Sequence, residues 1–380
     1  MQKRQFKLVE NSKKHVQCLK INRVRGSGNM HGTAFLLCFL LSLCSVFCIT
    51  RSTNINTYVK LEKYTMQGSA EDGSYICDSP YGLSGRPVFG GQIFSHIISC
   101  ALKETEGYEV ISGDCIFKDK TDKDFPIVYN SSVEALGSTI KLVRVEVLQE
   151  VGSVKKVRAV GSVLMHKKKA AIIQEGKKYI ETISKAQSSQ MLDYFEDAAT
   201  DQEKLGRMKT SEEYWKGILK DEADYRKYID TLHRVYSNID IYMLSNKKNN
   251  FSRCIGYQLH RKQESVGPEP EQTVARTWTI LGFISDEYIL ETALMPEGLC
   301  IVNSKYNILT LTHSVKFNDC ERFDLNRPFF YDVKIDSIHN NIATCTGRII
   351  QDQIVYANVC QTGKIFALQK AREEDSSRLK

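Results

Sequence analysis

Gly85-Arg86-Pro87-Val88-Phe89-Gly90-Gly91-Gln92, followed by the apolar run Ile93 to Ala101, is the stretch on which the reading of this chain turns. A paired glycine at the mouth of an apolar helix lets another group approach bare backbone amides. The spacing predicts a helix over Gly91 to Lys103. Beyond it, strand-like runs follow at Phe125 to Val133, Thr139 to Glu150 and Val154 to His166. Within the second of these, Val143, Val145 and Val147 alternate with Arg144 and Glu146, a period of two in β-branched residues that marks a strand with one buried face.

The same layout returns in the C-terminal half. Thr277 to Ser285 leads into a helix-like segment, Asp286 to Met295, ended by Pro296 and Gly298. Strand-like runs then follow at Leu299 to Val302, Asn307 to Phe317, Phe329 to Ile338, Ile342 to Ile350 and Ile354 to Cys360. Asn340-Asn341 and Gln351-Asp352 sit where tight hairpin turns fall. This is a repeat of layout rather than of letters. A long apolar helix laid on a curved antiparallel sheet is a hotdog unit, and two in one chain give an α+β double hotdog. The resulting division is a basic arm with an apolar segment (1–55), a first hotdog (56–168), a charged helical linker (169–235), a second hotdog (236–370) and a polar tail (371–380). The linker carries spaced apolar residues at Ile172, Ile173, Tyr179, Ile180 and Ile183, and again at Tyr214, Ile218, Leu219, Tyr225 and Leu232, within Lys, Glu and Asp. Such stretches read as amphipathic helices, and a solvated connector is the plain expectation for them.

Bulk composition narrows the function classes. The chain has 380 residues and a net charge of +7. Eight basic residues lie in the first 25 positions against one acid, Glu10, so the remainder is nearly neutral and no nucleic-acid surface is implied. None of the twelve cysteines forms a C-x-x-C pair, and no Cys/His cluster has metal-site spacing. Most read as buried free thiols, which suits a reducing compartment. The run Ala34 to Ile49 points elsewhere. Its 16 residues are short for a membrane span and near the length of a signal-peptide core, so membrane association through this segment is an expectation. Asn130-Ser131-Ser132 and Asn250-Phe251-Ser252 are glycosylation sequons that matter only in the secretory pathway. There is no G-x-S-x-G elbow, P-loop, H-E-x-x-H or dinucleotide fingerprint, so serine-hydrolase and nucleotide chemistry lack their signatures.

The Gly85-to-Gln92 run resembles the first-half signature of the type II acyl-CoA thioesterases, the bacterial TesB enzymes and their peroxisomal counterparts. Leu61-Glu62-Lys63 resembles an upstream motif of that family. Ser285-Asp286, Leu309 to Ser314, Arg327-Pro328-Phe329 and Asn358 to Gly363 resemble its second half in order and spacing. The resemblance implies the double hotdog, an acyl-CoA substrate hydrolysed to fatty acid and CoA, no metal or cofactor, and further association of chains. It also implies a peroxisomal location; here Ser377-Arg378-Leu379 is followed by Lys380, which breaks that address as written. By motif, the family's water-holding Asp, Thr and Gln match Asp286, Thr310 and Gln361. Gly90, Gly91, Gln92 and His313 are the further substrate-binding candidates, with Gln92 a first-half counterpart of Asp286 in a degenerate second site. Asp286 is expected at the start of its own helix, where the dipole favours a carboxylate.

The chain departs from the family in two places. Thr312-His313-Ser314 stands where the family often has D-H-S, and Val110 to Asp119 replaces an H-S-F-H-type run and an R-P-G-D-type turn. These departures motivate an alternative, a catalytically degenerate double hotdog that binds acyl-CoA without turning it over. A hotdog dehydratase or hydratase, using His313 with Asp286, is a third reading.

Overall fold

A computed structural model describes residues 62–63, 73–78, 80–82, 87–168, 195, 200–235, 238–245, 251–260, 270–297 and 306–367. The N-terminal arm, Ala34 to Ile49, the first linker stretch, Asn250 of the second sequon, the expected strand Leu299 to Val302 and the C-terminal tail lie outside the described residues. The described residues all belong to one compact unit. No described helix is long and apolar enough to cross a membrane.

In the first half, β1 (Glu62–Lys63) and β2 (Ser74–Cys77) precede helix α1 (Gly90–Glu104), which is followed by β3 (Tyr108–Phe117), β4 (Ile127–Ala135), β5 (Ile140–Val151) and β6 (Val154–Lys167). The linker holds α2 (Asp201–Gly206), β7 (Lys209–Thr210), α3 (Ser211–Ile218) and α4 (Glu222–Val235). The second half holds β8 (Ile239–Ser245), β9 (Ser252–Leu259), α5 (Pro270–Ile284), a 3-10 stretch Leu290–Glu297, β10 (Tyr306–Phe317), β11 (Phe329–His339), β12 (Ile342–Gln351) and β13 (Ile354–Ala367).

All described strands join one antiparallel sheet in the order β1-β2-β4-β5-β6-β3-β10-β13-β12-β11-β9-β8-β7. The order β2-β4-β5-β6-β3 is mirrored by β9-β11-β12-β13-β10, and the halves meet where β3 pairs with β10. This is the double hotdog expected from the sequence, and the repeat extends to single side chains. Gln149, near the end of β5, accepts from the Asp122 amide and donates to the Asp122 carbonyl. Gln351, at the end of β12, does the same with Asp324. Both amides are buried, and each pins the loop leaving the strand after its helix.

Helices α1 and α5 lie together against the sheet, and one apolar cluster spans both halves, including Phe94, Ile97, Ile98, Ile280, Phe283 and Val315. The linker helices join it: Trp215, Leu219, Tyr228 and Ile229 are all members of that cluster. Where the sequence suggests a solvated connector, α3 and α4 therefore lean on the core. Each turn of the second half that is readable from sequence is present, at Asn340-Asn341 and at Asp352-Gln353, all four residues having positive φ as a type I′ hairpin requires. The second turn sits one residue later than expected, because Gln351 stays in its strand as the buried loop pin.

One expected element differs. The α-helix of the second half is Pro270–Ile284, and of the expected segment Asp286 to Met295 only the part within the 3-10 stretch Leu290–Glu297 is helical. The Thr, Val, Trp and Ile content of α5 gives a poor local helix signal, and packing against α1 overrides it. Asp286 therefore follows the end of α5 rather than starting a helix.

Candidate functional site

The end of α5 meets the start of α1. Phe283 and Phe89 pack edge to face at 4.9 Å, and Gly90 and Gly91 open α1 at this contact. A Cβ on Gly91 would lie 2.3 Å from the Phe283 carbonyl oxygen, so only glycine permits this approach of backbone to backbone. Phe89, the residue before α1, gives the helix no side-chain cap. Asp286 supplies one from the other half: its Oδ2 accepts from the Gly91 amide at 2.7 Å. A carboxylate at a helix N-terminus is favoured by the free amides and the dipole there. The capping role expected of Asp286 is thus real but falls on α1, 195 residues away in sequence.

The turn carrying Asp286 is held from several sides. The Tyr331 hydroxyl donates to the Ser285 carbonyl at 2.6 Å, and the Ser285 hydroxyl contacts His313 Nε2 at 2.8 Å. Asp286 Oδ1 accepts from Gln361 Nε2, and the same amide nitrogen donates to Thr310 Oγ1 at 2.9 Å. A carboxylate only accepts, so the amide nitrogen must be the atom facing Asp286. Asp286, Thr310 and Gln361, drawn from a turn and two neighbouring strands, therefore form one hydrogen-bonded group.

They line a cavity of about 410 Å³, whose other walls include Val88, Phe89, Gly90, Ile93, Phe117, Leu290, Ile308, Leu309 and Leu311. The size lies within the usual range for small-molecule sites, as does a mainly apolar lining with a few convergent polar groups. Burial raises the Asp286 pKa from 3.8 to about 6, while the bonds from Gln361 and Gly91 pull it back down. It is then ionised at neutral pH yet close to the range where a general base is effective. No group of His, Cys, Asp and Glu among the described residues is arranged to hold a metal ion.

The other sequence candidates fall into two sets. Gly90 lines the cavity, and its amide donates to no acceptor among the described residues. Gly91 spends its amide on Asp286. Gln92 points away from the cavity: it is buried, accepts from the Tyr81 amide at 2.6 Å and contacts Cys77. His313 is also buried and outside the cavity walls, pairing in register with Gln361 and packing edge to face on Phe94 at 4.6 Å. Burial lowers its pKa to about 3, so it is neutral; the Gln361 amide pushes the other way. His313 Nδ1 and Gln361 Oε1 are both buried without a hydrogen-bond partner. Thr312 is exposed and outside the described cavity walls, so the family's missing carboxylate falls away from this group.

The repeat shows what stands at the matching place in the first half. β3 and β10 share a bulge, between Val110 and Ser112 and between Thr310 and Thr312. Counting from it, Val110 matches Thr310. The partner of Gly113, Val163, matches the partner of His313, Gln361. Two valines cannot hold a water, so the first half carries no second copy of the group. Sequence reasoning did not single out Tyr331 or Ser285 as supports; only Ser285 carried a signal, through its place beside Asp286.

Residues 242–368 match the family model described as acyl-CoA thioesterase. The fold is similar to that of the acyl-CoA thioesterase II TesB2 of Mycobacterium marinum, at 15% identity and a TM-score of 0.53, covering 83% of this chain and 98% of that one. The tesB protein of Mycobacterium avium subs paratuberculosis has 14% identity, a TM-score of 0.53, and coverage of 82% and 98%. A conserved protein of unknown function with a hot dog fold from Alicyclobacillus acidocaldarius has 9% identity, the same TM-score, and coverage of 83% and 98%. No curated protein matches the chain by sequence. The resemblance to type II acyl-CoA thioesterases read from the sequence is matched in fold over 82–83% of the chain and in the family model over residues 242–368.

Proposed function

We propose that the protein is an acyl-CoA thioesterase that hydrolyses its substrate by direct attack of water. The observation carrying this reading is that Asp286, Thr310 and Gln361, the positions matched by motif, form one hydrogen-bonded group on the wall of one apolar cavity. Asp286 acts as general base, taking the proton of the attacking water. Thr310 orients that water: its oxygen already accepts from Gln361, which leaves its own hydroxyl proton to donate, while Gln361 spends both amide protons on Asp286 and Thr310 and so positions the pair. As the water oxygen bonds to the thioester carbon, negative charge develops on the carbonyl oxygen. The Gly90 amide, at the N-terminus of α1 and without an acceptor among the described residues, receives it. Collapse of the tetrahedral intermediate breaks the C–S bond, and the thiolate leaves with the proton held by Asp286, giving fatty acid and CoA. No cofactor is needed.

Lys118, Asp119 and Lys120 are exposed at the cavity rim. Asp119 is engaged by Arg158, so the two ammonium groups are left to face the phosphates of CoA. The test of the base is Asp286→Asn, which lowers kcat by about 10²–10⁴ with a smaller change in KM. In the wild type, kcat/KM falls as pH drops through about 6. A folded variant with unchanged kcat removes Asp286 from the mechanism.

A further inference from the structure

The described walls of the cavity come from the two hotdog units, with one exception. Tyr228 lies on α4, in the linker between them. It is 7% exposed, and its hydroxyl meets that of Tyr288 at 3.1 Å. Trp215, from α3, packs on both rings, at 4.8 Å from Tyr228 and stacked at 6.3 Å on Tyr288. α3 is in turn fixed by a capping box between Thr210 and Glu213. Tyr288 cannot yield. It has a positive φ of 60°, unusual for an aromatic residue, and Arg253 holds both its carbonyl and its ring face. The walls of the cavity thus include two exposed residues, Lys118 and Lys120, and two buried phenols bonded to each other, Tyr228 and Tyr288.

We infer that Tyr228 sets the longest acyl chain the site accepts, so that the linker rather than either hotdog unit determines substrate length. The inference rests on the thioesterase reading for the orientation of the substrate: CoA at the lysine end, acyl chain toward the tyrosines. A terminal methyl reaching the pair meets the Tyr228 ring, which Trp215 backs at 4.8 Å, so the ring itself is the stop and the chain cannot pass without displacing packed side chains. Chains shorter than the cavity never touch the pair. Substitution of Tyr228 by a small apolar residue removes the ring and extends the apolar path toward α4, while Tyr228→Phe keeps the ring in place.

The experiment is a chain-length profile, from acetyl- to palmitoyl-CoA, for the full-length wild type and for Tyr228→Ala, Tyr228→Val and Tyr228→Phe. The inference expects the Ala and Val variants to gain about tenfold or more in kcat/KM on chains just beyond the wild-type limit, as a pocket does for each methylene it newly admits. Short chains change little, and the Phe variant keeps the wild-type limit. Two small-residue variants guard against one that fails to fold, and thermal melting identifies it. Should the wild type bind acyl-CoA without hydrolysing it, the thioesterase reading fails. The same profile is then read as displacement of a fluorescent acyl-CoA, where the limit must still lengthen. Superimposable profiles in folded Ala and Val variants, or a uniform loss at every chain length, overturn the inference.

Discussion

Removing the charge of Asp286 should change the pH dependence of folding by an amount that the site itself fixes. The carboxyl has a pKa of about 6 in the folded protein against an ordinary 3.8. At about 1.36 kcal/mol per pH unit, the difference comes to about 3 kcal/mol. The folded state binds the proton more tightly than the unfolded chain, so stability from this group is present in full below pH 3.8 and is lost as pH rises through about 6. Asp286→Asn is neutral at every pH and escapes that loss. Its amide also sacrifices an acceptor toward either Gly91 or Gln361, a fixed cost of about 1–3 kcal/mol that does not vary with pH. The absolute stability change is thus small, but its pH dependence is not. Urea unfolding of wild type and variant, at steps from pH 3.5 to 8, should show the variant gaining about 3 kcal/mol relative to wild type across that range. Taking the difference cancels every other titrating group. A difference that is flat in pH would refute the claim that this carboxylate is ionised against burial.

Two further outcomes follow from the same geometry. Gly91→Ala places a Cβ 2.3 Å from the Phe283 carbonyl oxygen, so α1 and α5 must move apart; the expected loss is about 1–3 kcal/mol in urea unfolding, together with activity, because the Asp286 cap opens at the same contact. Replacing Lys118 and Lys120 together by Ala should raise KM for acyl-CoA about tenfold at low salt and leave the matching acyl-pantetheine, which lacks the nucleotide phosphates, unchanged; an equal rise for both thioesters would remove the phosphate role.

What the sequence reveals and conceals has physical causes. Strands β5, β6, β11 and β12 are legible because one face is buried and the other wet, and so the residue types alternate. α1 is legible from the length of its apolar run and the glycines before it. α5 is not, because its Thr, Val, Trp and Ile content suits a strand and only contact with α1 makes it helical. That error moved Asp286 to the start of a helix, and the true arrangement, a cap given across 195 residues, has no local signal. Strand β3 is obscured because its central glycine and mixed burial interrupt alternation where it joins the two halves. The Asp-Thr-Gln group was legible only through resemblance: Thr310 alone is a good strand former and Gln361 alone a strand residue. The contribution of Trp215 and Tyr228 was hidden for a different reason. A charged helix with a few aromatics looks the same from its sequence whether those rings meet solvent or a core.

The central claim is that Gln361, bridging Asp286 and Thr310, belongs to the machinery of thioester hydrolysis. The most direct measurement is release of free CoA thiol, followed with a thiol-reactive dye, by wild-type protein and by Gln361→Ala across acetyl- to palmitoyl-CoA. Turnover by the wild type that falls by about a hundredfold in a folded variant with acyl-CoA still bound is the predicted result. Undiminished turnover in the folded variant, or acyl-CoA held without hydrolysis by the wild type, would contradict the account.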